Sequence, residues 1–412
     1  MLRSRIFGLR CRPASLCLTS FALALTLPSI AQAHVKWFQP YNIADTPISP
    51  SHFMEMWPWL LGLFLSIPAV WACIAIDRLS EFPRPAGVLR AVIARIDLPA
   101  DTIMRLVVGV WLSWLWLLPS PIWLTPELVA HNPAVQWLQL GLAGFCLFSR
   151  TSWVTGIGLL GLWIAATGQY GLYHLMDYPL FMGVAAYLIG ISAAHSSQPV
   201  AQWLAAQRLN MFVGAMAVTL MWASIEKWAF ANWSIPLLHE YPHLTMGMTP
   251  EMFLAFAGWL EFGAAVMLVL GGKVSSRLSA FVLLFIFTAA VFDFGRTDLV
   301  GHFPIICALM VVIAKGNGRL GDILSLSHRP VMERALRIPI RYGGALFVTM
   351  IAYLGFWNLF YGTGLETVMA NQFSVATWLL VAVVTLWICS MLAGRMTPTT
   401  QPIGQRALIS SR

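Results

Sequence analysis

An all-α bundle embedded in a membrane is the fold class this chain predicts, on three observations. Of its 412 residues, 58% are hydrophobic and only 10% charged, against about 45–50% and 25% in an ordinary globular domain. Long uncharged apolar runs recur from end to end, as spanning helices require. The basic residues behind the formal charge of +8 are spread over alternate connections and form no single patch. Together these exclude a soluble enzyme, a disordered chain and a disulfide-framed secreted module. The lipid bilayer is the predicted partner, and no nucleic acid is needed to explain the charge.

Residues 1–33 are predicted to be a cleaved signal peptide. Arg3, Arg5, Arg10 and Arg12 form its basic start, Leu16 to Leu27 its apolar core, and Ala31-Gln32-Ala33 a small-residue cleavage site. The core is short for a span, and Pro28 interrupts it. Removing four arginines leaves 25 − 4 = 21 basic against 17 acidic residues, a charge of +4. Residues 34–55 follow as an outer, periplasmic segment. Its Trp37, Phe38 and Tyr41 suit the interface or a cover over the mouth of the bundle.

Ten apolar stretches come next, at 56–76, 104–118, 134–148, 152–168, 178–194, 209–229, 252–271, 277–294, 301–315 and 340–360. An eleventh lies at 374–393, before a tail at 394–412. Several fall short of the ~20 residues of a usual span, so their ends must reach into the loops. Cationic side chains orient them. A cleaved signal puts residue 34 outside and the 77–105 loop inside, where Arg78, Arg84, Arg90, Arg95 and Arg105 lie. The outer 119–133 and 169–177 connections have no Lys or Arg. Arg150, Arg208, Lys273, Arg277, Lys315, Arg319, Arg329, Arg334, Arg337 and Arg341 fall inside, with Arg395, Arg406 and Arg412 in the tail. Only Lys36, Lys227 and Arg296 are left on the outer side. This alternation predicts about eleven spans in a bacterial inner membrane, N-terminus periplasmic and C-terminus cytoplasmic.

Cysteines argue against two redox classes. Cys73, Cys146, Cys307 and Cys389 sit singly in apolar runs, and Cys11 and Cys17 leave with the signal. Without C-x-x-C or C-x-x-C-H, a disulfide-exchange enzyme and a c-type cytochrome are disfavoured.

An internal duplication is predicted as well. WLQLGLAGFCLF at 137–148 matches WLEFGAAVMLVL at 259–270, an offset of 122. Tyr170-Gly171 matches Phe294-Gly295, Pro179 matches Pro304, and Gly109 pairs with Gly214. The chain then divides into a leading span and loop (56–103), four-helix units at 104–194 and 209–315, and two trailing spans within 340–393. Both units begin and end inside, so the repeats are parallel. The longer 229–250 connection absorbs the difference in offset.

The second unit resembles the DoxX/DoxD-like four-helix membrane proteins. A Gly-bearing helix ends in Glu226-Lys227, GWLEFGAAVMLVLGG follows at 258–272, and the fourth span opens on a His-x-Pro in GHFPIICALMVVI at 301–313. The resemblance covers about a hundred residues, or two hundred through the duplication. It implies a quinone-linked redox process of the sulfur-oxidation type, as in the small subunit of a thiosulfate:quinone oxidoreductase. A membrane quinone and a redox partner subunit are implied with it. The 34–55 segment and the spans at 56–76, 340–360 and 374–393 depart from a plain four-span member. The residues themselves leave two other classes open, a small-solute or proton transporter and a non-catalytic assembly partner.

Ionisable groups inside a bilayer cost roughly 2.5–3.5 kcal/mol each, so their positions are informative. Glu261 sits ten residues into its span, about 15 Å deep, and is the leading candidate for a proton-handling group. A neutral carboxyl kept for packing is the structural alternative. Glu226 and Lys227 point about 100° apart and need partners on other helices. Asp293 and Arg296, three apart, are predicted to pair, with Asp298 and His302 on the next turn. The five groups Glu226, Lys227, Glu261, Asp293 and Arg296 are predicted to converge in the outer half of the second unit, with Glu261 holding a proton. The matching first-unit positions, Pro121, Ile122, Gln139, Gln169 and Leu172, are uncharged. Metal candidates are minor: His239 and His243, although Pro242 argues against a shared helical face, the His174–Asp177 turn, and His34, a terminal copper chelator after cleavage.

Overall fold

The computed structural model describes residues 35–79, 99–326 and 329–362. The signal peptide, His34, most of the 77–105 loop, the stretch at 374–393 and the tail lie outside the described residues. A 3-10 turn at Val35–Trp37 leads into α1 (Pro50–Glu55) and the long α2 (Trp57–Leu79). Next come α3 (Ala100–Trp116), α4 (Ala134–Cys146), α5 (Ser152–Tyr170), the single turn α6 (Leu172–Leu175) and α7 (Pro179–Ala193). The chain continues through α8 (Pro199–Ala229), α9 (Ala231–Glu240) and a 3-10 turn at Pro242–Thr245. It then forms α10 (Pro250–Leu270), α11 (Ser275–Lys315), α12 (Gly318–Leu324) and α13 (Val331–Tyr361).

Among the described residues the fold is all-helical, apart from an isolated antiparallel bridge between Ile122 and Val129. Among the described residues, five helices, α2, α8, α10, α11 and α13, are long and apolar enough to cross a membrane. The stretches 277–294 and 301–315 fall in α11 as two helical segments, broken at the non-helical Gly295 (φ 71°, ψ −142°). One predicted detail needs correction. The 229–250 connection is largely helical, because α9 and the following 3-10 turn occupy it.

Glycines set the closest helix contacts. A Cβ on Gly183 would lie 2.6 Å from Ala215 Cβ, and one on Gly190 2.5 Å from Arg208 Cβ. With lipid as apolar as the side chains, such close approach is what holds α7 against α8. Thr219 Oγ1 accepts a hydrogen bond from Leu180 N at 2.8 Å and fixes the register of this antiparallel pair. Across the bundle, α3 meets the 296–315 half of α11, where Trp114 packs edge-on to Phe303 at 6.2 Å. The helices α3 to α7 and α8 to α11 therefore meet at both seams. Both groups break their path with a glycine in the left-handed region, Gly171 (φ 86°) and Gly295 (φ 71°).

The surroundings of the two groups differ. Trp137 on α4 is exposed, whereas Trp259 on α10 is buried and donates to Trp59 O at 2.9 Å. The cause is α2, which covers α10, with Gly62 leaving room for the Trp259 ring. At the lower end of α2, Asp77 closes the first turn of α11. It accepts from Gly272 N, Val274 N and Ser275 N at 2.8–3.0 Å and from Ser275 Oγ at 2.6 Å. Arg334 lies 3.6 Å away. This end of the bundle carries nearly all the arginines of the described residues. Arg208 pairs with Asp101 there at 3.2 Å, and Arg277 Nε donates to Ile313 O at 3.0 Å. The opposite end carries Lys36, Lys227 and Arg296.

Candidate functional site

The segment 35–48 crosses that opposite end as a strap. Ile48 N donates to Ala229 O at 2.8 Å, and Trp233 Nε1 donates to Asp45 Oδ2 at 2.8 Å. The start of the strap dips between the two helix groups. Trp37 fits there only because position 301 is glycine: a Cβ would come within 2.1 Å of its ring. Lys36 is carried inward beside it. Its ammonium lies 2.5 Å from Asp177 and 2.6 Å from Glu226, and its side chain is 1% exposed. The faces of Tyr41 and Trp233 enclose it at 5.5 and 5.3 Å.

A third carboxylate, Glu127, acts on the same ammonium. It is held by the Tyr178 hydroxyl and by His174 Nε2 at 3.2 Å, and the same ring nitrogen lies 3.0 Å from the Tyr41 hydroxyl. Tyr353 donates to Glu226 at 3.3 Å. Burial alone would lower the Lys36 pKa, but Asp177, Glu226 and Glu127 outweigh it and hold the group well above the usual lysine range. Burial and the adjacent Glu226 push Asp177 well above the usual carboxylate range, against the pull of Lys36. These two shifts favour the charged form of Lys36 and the protonated form of Asp177.

A second pair lies beside this cluster. Lys227 donates to Glu261 at 2.7 Å, and Glu261 is 2% exposed. A cavity of about 60 Å³ separates the groups, enough for a few water molecules. Trp37, Asp177, Glu226, Lys227, Glu261 and His302 are among its walls.

Three of the five predicted residues, Glu226, Lys227 and Glu261, therefore face one cavity. As expected, Glu226 and Lys227 take partners on other elements. Glu261, the expected proton holder, has Lys227 as its partner. The predicted Asp293–Arg296 pair does not form. Gly295 turns the chain between them, so they share no helical face. Asp293 lies 3.2 Å from His243 instead, and Arg296 is exposed. The site is also not confined to the second unit, because Asp177, Glu127 and His174 come from the first.

Sequence reasoning left Lys36 out of the site, although a signal was present. Among the described residues it is one of three cations at this end of the bundle, with Lys227 and Arg296. Asp177 and His174 were read as a minor metal turn. The structure makes Asp177 a partner of Lys36, and His174 a partner of Glu127. His239 ends α9 while His243 lies in the next 3-10 turn, so the H-x-x-x-H spacing does not present one face. Among the described residues no three His, Cys, Asp or Glu side chains cluster in a way that could hold a metal ion. No family model, curated protein or solved structure matches the chain.

Proposed function

We propose that this chain is a DoxX/DoxD-like integral protein of the bacterial inner membrane, with about eleven spans and a duplicated four-helix core. It holds a proton at a buried lysine–carboxylate site on its periplasmic side. It serves a quinone-linked redox process of the sulfur-oxidation type as a subunit or partner. The observation that carries the reading is the imbalance at Lys36: one buried ammonium faces Asp177, Glu226 and Glu127 beside a cavity. A carboxyl that keeps its proton under such conditions is suited to proton exchange coupled to a lipophilic carrier.

Two further features support the architecture. The paired glycine breaks at Gly171 and Gly295, and the meeting of both seams, are what a parallel duplication would produce. The gathering of arginines at the end away from Lys36 agrees with a cytoplasmic location for that end. Reporter fusions after residue 240 should be active only when exported, and fusions at 90 and 322 only in the cytoplasm. The reverse pattern would overturn the orientation. Purification from native membranes should yield bound quinone and a redox partner. A preparation that is fully folded and carries neither would overturn the quinone-linked reading.

Proton or small-cation transport is the second reading. It is favoured by the excess of carboxylates over ammonium groups around the cavity. Proteoliposomes loaded with a pH-sensitive dye separate the two, because only transport predicts proton flux without a redox couple.

A further inference from the structure

The mechanism above leaves one buried titratable pair unused. On the second half of α11, His302 Nδ1 lies 2.8 Å from Asp298 Oδ2. The two side chains are 3% and 0% exposed. The imidazole sits between Trp37 (centroids 4.7 Å) and Phe287 (4.8 Å), and it forms part of the cavity wall. Its Nδ1 meets the carboxylate, which leaves Nε2 as the ring nitrogen not engaged by Asp298. Asp298 Oδ1 is buried and has no hydrogen-bond partner. A carboxylate placed for packing alone would be expected to have both oxygens satisfied. Asp77, at the other end of the molecule, has partners on both.

We infer that His302 is a proton-exchanging residue, linked to the Lys36 cluster through water in the cavity, with Asp298 as its positioning residue. The inference rests on the proton-holding role proposed for that cluster. The step is a proton transfer only. An O–H bond of a cavity water breaks as Nε2–H forms, and the water regains a proton from the protonated carboxyl of the Asp177–Glu226 pair. The imidazolium so formed is balanced by Asp298, as a histidine–carboxylate pair favours. The cavity volume matches this ligand, since a few waters fill it. The charged groups on the cavity wall with His302 are Asp177, Glu226, Lys227 and Glu261, with Lys36 2.6 Å from Glu226.

The test uses the full chain in lipid nanodiscs with ¹⁵N-labelled histidine, the His302 signals being assigned by their loss in His302→Gln. The expected result is a ring that exchanges its Nε2 proton readily with solvent. Asp298→Asn should change the neutral tautomer. Glu226→Gln should slow the exchange measurably. A ring that does not exchange would overturn the inference, and so would an exchange rate indifferent to Glu226→Gln. The proton on the Lys36 cluster is read separately, as a protonated-carboxyl band in infrared difference spectra that Asp177→Asn and Glu226→Gln alter. Absence of that band would defeat the proton-holding role of the cluster. A band with a silent His302 would defeat only the relay.

Discussion

Asp77 and Asp177 are buried carboxylates at opposite ends of one bundle, held in opposite ways. Asp77 receives three backbone N–H groups and a hydroxyl at the start of α11, with Arg334 alongside. Unpaired amides of a helix start favour a fixed negative charge. Asp177 shares a single ammonium with Glu226, feels Glu127, and faces a cavity. The first carboxylate has donors on both oxygens and ties α2 to α11. The second is under-compensated and can release or keep one. Burial alone therefore does not mark a functional acid; the balance of donors around it does.

The largest effect should come from the architectural end. Asp77→Ala removes four hydrogen bonds and leaves Arg334 buried without its nearest carboxylate. Breaking such a centre costs about 3–5 kcal/mol. Thermal or denaturant unfolding in nanodiscs checks it, and a loss below about 1 kcal/mol would erase the contrast with Asp177.

Lys36→Met should cost about as much at pH 8, roughly 3 kcal/mol, because three carboxylates lose their cation. Here the loss must depend on pH. In the native protein the Lys36 pKa is raised, so its contribution is fully present below the unfolded lysine value and fades only as pH rises through the folded one. Once Lys36 is gone, the carboxylates relieve their repulsion by taking up protons. Lowering the pH toward 5 should restore much of the stability, and the same unfolding measurement at both pH values checks it. An equal loss at both would mean that the cluster is as fixed as Asp77.

A smaller effect sharpens the comparison of the two helix groups. Gly171 and Gly295 both have positive φ, and a Cβ at either would meet open space. Alanine at each should cost about 1–2 kcal/mol from backbone strain alone. Similar losses in unfolding experiments are expected if the two breaks are equivalent. A loss at only one would argue against a repeated unit.

The helices were legible because their signal is local. Apolar runs and the matched glycines at 171 and 295 can be read along the chain. The break in α11 was legible too, since Gly295 lies between the apolar runs 277–294 and 301–315. The centres were harder to read. Lys36 and Asp177 are 141 residues apart, and Asp77 and Ser275 198 apart. Nothing in the spacing of either pair announces it. Glu226, Lys227 and Glu261 were visible because charge inside an apolar run is conspicuous. Lys36 and Asp177 lie in connections, where charge is ordinary until folding buries it.

The smallest effect is the most specific. Asp177→Asn keeps the shape of the side chain and fixes it in a neutral form. Asp177 has a raised pKa in the folded protein, for which burial and Glu226 are responsible. For an acid raised in this way, the folded state binds the proton more tightly than the unfolded chain does. Its contribution to stability is therefore full below the unfolded value near 4 and is lost as pH rises through the folded value. Asparagine imitates the protonated form at every pH. The substitution should change stability at pH 7 by no more than about 1 kcal/mol, since Lys36 still has Glu226 and the field of Glu127. It should also flatten the decline in stability above pH 4 that the wild type shows. Paired unfolding curves across pH 4–8 measure both. A loss near 3 kcal/mol at pH 7 would make Asp177 a permanently charged partner of Lys36, and this end of the bundle would then be built on the same terms as Asp77.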